Sequence, residues 1–129
     1  MINNFDISAI EDEVMTIVRN LAVSKKVYPN RPKAADPATD FVVVSVMDGV
    51  DDYSAYGECV IRIDLFAKDI DNVKNKKKLS YMYQKLIDGF PAASGRLLFS
   101  TEWNMLGDTA DDFGFHARLI RIPTTIKAI

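Results

Sequence analysis

The sequence predicts an α+β fold in which an antiparallel four-stranded sheet carries two helices packed on one face, in the order α-β-β-α-β-β. Two observations lead to this prediction. Apolar residues recur at helical spacing in two segments, and apolar, β-branched segments occur as two pairs between and after them. These elements bury their apolar surfaces most simply as one two-layer domain, which we expect to span residues 1–129.

The first helix is predicted from Ser8 to about Leu21. Ser8 and Glu11 have the spacing of a capping box, in which a hydroxyl and a carboxylate each satisfy a backbone N–H group. Residues 24–40 contain three prolines, which disfavour helix, so this stretch is expected to be an extended connection. Within it, Lys26–Tyr28 is a candidate for a short edge strand.

An antiparallel hairpin is predicted from Phe41–Met47 and Cys59–Ala67, joined by a turn at Asp48–Tyr56. Apolar residues alternate with mixed ones along the second strand, so one of its faces should lie in the core. The core positions of that strand are Cys59, Ile61, Ile63 and Leu65.

The second helix is predicted from about Asn72 to Phe90, with Asp69 or Asp71 as its N-cap. Its apolar face contains six residues at helical spacing, while lysines dominate the other face. The apolar residues are Leu79, Met82, Tyr83, Leu86, Ile87 and Phe90.

Arg96–Trp103 and Phe113–Ile122 are predicted to be the last two strands, joined by a turn at Asn104–Asp112. Pro123 should limit the last strand, which leaves residues 123–129 as a tail or an edge segment. With both helices on one face, the other face would stay partly apolar and would favour self-association. The residues expected there are Val60, Phe66, Ile120 and Ile122, or their register partners.

Composition indicates a soluble globular chain without a general affinity for nucleic acid. The net charge is -2, whereas a general nucleic-acid binder normally carries a basic field. A single cysteine excludes an internal disulfide framework and is typical of a reducing compartment. No apolar run is long enough to cross a membrane, and no signal peptide is recognised, so a cytoplasmic protein is expected.

Catalytic and metal-binding patterns are weak, and we expect neither an enzyme nor a cofactor. Cys59 and His116 both lie inside predicted strands, where packing explains them better than nucleophilic catalysis does. Two acidic clusters lack the ligand spacing of a calcium loop, and zinc ligands are scarce. Turn chemistry and solvation explain these clusters, and the alternative is an acidic surface that faces a partner. The clusters are Asp48, Asp51 and Asp52, and Asp108, Asp111 and Asp112.

The densest basic run, Lys74–Lys78, lies in the first turns of the predicted second helix, where positive charge opposes the helix dipole. A solvated helix face explains it, and the alternative is a contact with phosphate or with an acidic patch of a neighbouring subunit. Tyr81 lies on the same polar side and favours a protein interface, since tyrosine is enriched there.

The element order resembles that of the tail-terminator, or tail-completion, proteins of long-tailed phages, the family that includes lambda's minor tail protein U. The resemblance covers nearly the whole chain. The matching stretches are Ser8–Leu21, Val27–Pro29, Asp40–Val44, Cys59–Ala67 leading into Asp69–Phe90, and Phe115–Ile122.

This resemblance implies a homo-oligomeric ring, typically hexameric, that caps the tail tube, stops its polymerisation and joins it to the head. The implied partners are tail-tube and head–neck proteins, with assembly in the cytoplasm and a final place in the virion tail. Another neck or connector subunit is the nearest alternative. A small-molecule-binding or enzymatic domain with a pocket between helices and sheet is the alternative from another class.

No catalytic residue is implied by the resemblance, because the family has no catalytic motif. An acidic lumen would repel DNA phosphates and keep the channel from becoming a binding site. The resemblance implies Asp48, Asp51 and Asp52 as lumen or tube contacts and Lys74–Lys78 as a contact. Together with Tyr81, which its residue type favours, the candidate assembly or lumen contacts are Asp48, Asp51, Asp52, Lys74, Lys77, Lys78 and Tyr81.

Overall fold

A computed structural model describes residues 5–31 and 39–128 of the chain. Within them the chain forms two helices and seven strands. In chain order these are α1 (Ile7–Asn20), β1 (Val27–Tyr28), β2 (Asp40–Asp52), β3 (Tyr56–Lys68), α2 (Lys76–Gly89), β4 (Ala93–Ser94), β5 (Leu97–Phe99), β6 (Asn104–Ala110) and β7 (Phe115–Lys127).

All seven strands belong to one curled, mixed sheet with the shape of a half-barrel. The neighbours run β1-β2-β3-β7-β5-β4, and β6 pairs with a separate stretch of β7. β1 is parallel to β2, and every other pair is antiparallel. The predicted antiparallel four-stranded sheet with the order α-β-β-α-β-β is therefore wrong. Strands of two or three residues are too short to show an alternating pattern in the sequence.

β6 occupies most of the stretch that was predicted to be a turn. It contains Gly107 and Asp108, which are typical of turns, and the register against β7 shifts between Leu106 and Thr109. A β-bulge of this kind accommodates residues that would otherwise end a strand. Composition alone therefore predicted a turn in a segment that pairing with β7 makes extended.

β7 continues through Pro123 to Lys127, so the predicted tail at 123–129 is wrong for the residues described. The carbonyl of Pro123 accepts from the Ser100 backbone N–H at 2.9 Å, on the β5 side of β7. The missing N–H of Pro123 would point to that same side, between the stretches that pair with β6 and β5. Because the ladder to β3 loses no hydrogen bond there, proline is tolerated.

Both helix starts differ from the predicted caps. Asp6, and not Ser8, caps α1, because its carboxylate accepts from the Ser8 N–H at 3.3 Å. Asn75 caps α2, where its side chain accepts from the Lys78 N–H at 3.1 Å. The residues before α2 are used in a turn instead, with left-handed φ values of 53° at Asp71 and 64° at Asn72.

One hydrophobic core lies between the two helices and one face of the sheet. The alternating residues of β3 predicted to be buried are all part of it, and they face residues of β2 and β7. Ile120 and Ile122 lie in this core and not on the other face, which corrects their prediction. The helices supply the buried residues Ile10, Val14, Met15, Val18, Leu79, Met82 and Leu86.

Candidate assembly surfaces

The acidic end of the β2–β3 hairpin is the first candidate surface, and we call Asp48, Asp51, Asp52 and Glu58 the acidic tip. All four residues are exposed. The three aspartates were predicted to lie in a loop, but β2 extends to Asp52, so they lie on a strand and the turn is confined to residues 53–55. The paired strands of the hairpin thus hold these carboxylates on an extended backbone.

A β-bulge bends β2 just before the acidic tip. The register against β3 shifts between Met47 and Asp51, and Asp48 and Gly49 have left-handed φ values of 57° and 84°. Glycine adopts such values without a steric penalty, and aspartate adopts them more readily than most residues. Bulges change the direction of the strand that follows them, and here the bulge precedes Asp51 and Asp52.

Electrostatic repulsion is built into the acidic tip. Asp51 and Glu58 are direct cross-strand partners, a position in which like charges destabilise a hairpin. The negative charges of Asp51 and Glu58 raise the pKa of the neighbouring Tyr53 phenol. Within residues 5–31 and 39–128, none of the four carboxylates of the tip forms an ion pair.

Two exposed tyrosines complete the hairpin end. The rings of Tyr53 and Tyr56 stack with their centroids 5.1 Å apart, and the two residues are 51% and 41% exposed. A groove of about 600 Å³ lies beside them, where the ends of β3, β5 and β7 meet the bulge. Asp48, Asp51 and Glu58 line this groove.

The lysine run at the start of α2 is the second candidate surface, and we call Lys74, Lys76, Lys77 and Lys78 the basic end. Since α2 begins at Lys76, Lys74 precedes the helix and does not lie in its first turn. Two of the lysines are used inside the subunit. Lys74 Nζ lies 3.3 Å from Asp108 Oδ2, a carboxylate that Arg118 also binds through two hydrogen bonds.

The remaining lysines differ in their surroundings. Lys78 Nζ lies 3.7 Å from Asp40 Oδ1, while Lys76 and Lys77 are exposed and form no ion pair with any other described residue. Tyr81, 51% exposed, has the ammonium groups of Lys78 and Lys85 at 5.3 and 5.4 Å from its ring centroid.

A smaller groove of about 360 Å³ adjoins the basic end, and Lys25, Lys26, Lys78 and Tyr81 are among its lining residues. The structure therefore brings the sequence-predicted contact residues together as two separate groups. One group is acidic and the other basic, and each includes exposed tyrosine.

The other face of the sheet, which we call the reverse face, holds a second hydrophobic cluster around Phe41, Phe66 and Phe115. Phe41 and Phe66 stack with their centroids 4.5 Å apart, and Phe115 meets Phe41 edge-on at 5.3 Å. Arg31 covers the cluster, since its guanidinium carbon lies within 4.7 to 5.3 Å of four phenylalanine ring centroids. This cluster covers only part of the face that was expected to remain apolar.

Arg31 is also held by Asp111, whose Oδ2 lies 2.7 Å from Nη2. Partial burial raises the pKa of Asp111, but Arg31 and the N–H groups of Phe113 and Phe115 outweigh it and lower the pKa below the ordinary value. Arg31 was not predicted from the sequence. No local sequence pattern indicates its role, because its aromatic partners lie in other parts of the chain.

Asp64 is the one buried carboxylate of the described residues, at 3% exposed, and it also lies on the reverse face. Burial raises its pKa, an effect that Arg62 and Arg121 partly oppose. Arg62 Nε donates to both carboxylate oxygens at 3.1 and 2.9 Å. Arg62 and Arg121 are direct cross-strand partners whose like charges repel each other, and the negative charge of Asp64 offsets part of this repulsion.

The nucleophile candidates are not arranged for catalysis. Burial raises the pKa of Cys59 to about 11, so its thiol is protonated at neutral pH. His116 Nδ1 lies 2.6 Å from Asp69 Oδ1 at the other end of the sheet. Since Cys59 pairs with Thr124 and His116 with Ala67, about eight residues of strand, or ~26 Å, separate the two side chains.

Metal-binding geometry is also lacking in the described part of the chain. No group of three or more histidine, cysteine, aspartate or glutamate side chains there is placed to hold a metal ion. Neither α1 nor α2 has the length and apolar character that a membrane-spanning helix requires.

Comparison with known proteins identifies the fold but not a family. No family model matches the sequence, and no curated protein matches it significantly. Among solved structures, the chain is similar to a chain from the virion of a native gene transfer agent particle, with a TM-score of 0.53 and 12% sequence identity. The alignment covers 95% of this chain and 92% of that one, so the two share a fold over nearly their whole length.

Proposed function

We propose that this protein is a structural component of a virion, and specifically a tail terminator. In this role a homo-oligomeric ring caps the tail tube, stops its polymerisation and joins it to the head. The observation that carries the proposal is the fold shared with a virion chain over 95% of this sequence. The finer assignment to a tail terminator comes from the resemblance of individual stretches, such as Ser8–Leu21 and Cys59–Ala67, to that family.

The arrangement of side chains supports a non-enzymatic role. The cysteine and the histidine lie far apart, and the buried carboxylate of Asp64 is bound by Arg62 on the reverse face. Exposed charge and exposed tyrosine instead gather at the hairpin end and at the start of α2. Tyrosine is enriched at contacts between proteins, and charged groups of opposite sign on two surfaces steer their association.

Deleting the gene from the genome that encodes the protein tests the assignment. A terminator that stops tube growth predicts overlong tubes and tails without heads, visible by electron microscopy, and restoration by the gene supplied in trans. Tails of normal length joined to heads would contradict the terminator role. Complete heads that lack tails altogether would favour another neck or connector subunit.

A further inference from the structure

The acidic tip is an unfavourable arrangement within a single subunit. Asp51 and Glu58 face each other across the hairpin, Asp48 and Asp52 add further charge, and no described cation forms an ion pair with them. Lys127, opposite Tyr56 on β7, is the nearest cation along the strand ladder. Natural proteins retain locally unfavourable arrangements of this kind mainly at functional sites. A cationic surface from outside the subunit would relieve this repulsion.

The basic end has the complementary conflict. Lys76, Lys77 and Lys78 form the first turn of α2, where positive charge opposes the helix dipole, and the turn contains no acidic residue. Asp40 and Asp108 neutralise Lys78 and Lys74, which leaves Lys76 and Lys77 unpaired among the described residues. An anionic surface would relieve this second conflict.

The two charged surfaces lie at opposite ends of the same hairpin. Asp40, beside the basic end, begins β2, and Asp52, at the acidic tip, ends it. Twelve residue-to-residue steps separate them, or up to ~40 Å in an extended strand. They therefore cannot neutralise each other within one copy, whereas the tip of one copy can reach the basic end of another.

Exposed aromatic residues strengthen the match. Tyr53 and Tyr56 flank the carboxylates, and Tyr81 lies between Lys78 and Lys85. Each surface also adjoins a groove, of about 600 Å³ at the tip and about 360 Å³ at the basic end. Tyrosine is enriched at the centre of protein contacts, and the charged residues around it would belong to the polar rim.

We propose that the acidic tip of one copy docks on the basic end and Tyr81 of the next copy. Two different surfaces then meet, so the contact is heterologous, and it produces a closed ring when the rotation between copies closes. This inference rests on the proposed tail-terminator function and extends it, because it identifies the two surfaces that would hold the ring together.

Charge reversal on the full chain tests the docking. We expect Asp51→Lys with Asp52→Lys, or Lys76→Glu with Lys77→Glu, to raise the concentration for half-assembly by about tenfold or more at low ionic strength. Sedimentation velocity measures the assembly, and circular dichroism with a thermal melt checks that each variant folds. The matched control is Asp12→Lys with Glu13→Lys, an equal charge change on exposed residues of α1, which should assemble like the unmodified protein.

Mixing the two reversed variants gives the decisive result. Each reversed surface then meets a complementary one on the other variant, so the mixture should assemble near the original concentration, as should one chain that carries all four substitutions. Failure of either rescue, or unimpaired assembly of both single-surface variants, would overturn the docking while leaving the ring intact. A monomeric unmodified protein at all concentrations would overturn both.

A surface for nucleic acid at the basic end is a separate outcome. If Lys76→Glu with Lys77→Glu abolishes binding to a short DNA duplex but leaves assembly unchanged, the lysines contact phosphate and the docking proposal is wrong.

Discussion

The two faces of the sheet bury their apolar surface in different ways. The core face is mainly aliphatic, with an aromatic contact between Phe99 of β5 and Phe90, and it is covered by α1 and α2. The reverse face gathers phenylalanine rings at one end, where Arg31 covers them, and farther along it carries the buried Asp64, which Arg62 binds. Aliphatic packing is non-directional, whereas the reverse face depends on a few groups with demanding geometry. The predictions that follow test this contrast, from the largest expected effect to the smallest.

A charge in the aliphatic face should abolish folding. Ile63 is fully buried, and Ile63→Asp places a carboxylate there without a partner, at a cost of at least ~4 kcal/mol. Circular dichroism should detect no cooperative melt. Val60→Asp on the other face of the same strand, where the residue is only half-buried, is the control and should fold. A native-like melting temperature for Ile63→Asp would show that the face is not dry.

Loss of a single guanidinium should expose the reverse face. Arg31→Ala removes the ion pair with Asp111 and the contacts with the phenylalanine rings, so we expect a loss of about 2 kcal/mol in urea unfolding and increased binding of a hydrophobic dye. Arg31→Lys should recover less than half, since an ammonium lacks the planar group. Lys25→Ala, at an exposed position, is the control. Full recovery of the lost stability by Arg31→Lys would show that Arg31 acts through its charge alone.

Acid should affect the carboxylates of the two faces in opposite directions. Asp108, at the rim of the core face, has a pKa lowered by its hydrogen bonds from Arg118, so its contribution to stability is lost as the pH falls below the ordinary carboxyl range. Asp64 has a pKa raised by burial, so its contribution is complete below the unfolded pKa and is lost as the pH rises through the folded one.

Urea unfolding between about pH 3 and pH 7 checks this sign difference. The deficit of Asp108→Asn relative to the unmodified protein should be ~1–2 kcal/mol near neutral pH and should shrink on acidification. The deficit of Asp64→Asn should grow on acidification. Parallel curves for the two variants would contradict the assignment.

The smallest expected effect concerns the outer edge of β2. Glu11 Oε2 accepts from the Val46 backbone N–H at 2.8 Å, so α1 covers an edge of the sheet as well as its core face. Glu11→Gln weakens this hydrogen bond, with an expected loss of ~0.5–1 kcal/mol. Faster hydrogen exchange at Val46 is the direct measurement, and Glu13→Gln on the exposed side of α1 is the control.

Candidate contact residues were predictable in kind but not in arrangement. The acidic run, the lysine run and Tyr81 are visible in the sequence as groups that a core does not need. That the carboxylates lie on a strand beyond a bulge, and that Asp51 faces Glu58, follows only from the register of the hairpin. Cross-strand neighbours are set by pairing over distance, which local composition does not encode.

By itself, the sequence determined the two helical segments and the alternating burial of β3, because these depend on periods of 3.6 and two residues that local spacing reveals. Only the tertiary structure decided the number of strands, the passage of β7 through Pro123 and the placement of Arg31 over the phenylalanines. The physical reason is that each of these depends on partners far away in the chain. Pairing with β7 makes β6 a strand despite its turn-like composition, and four rings from separate segments give Arg31 its site.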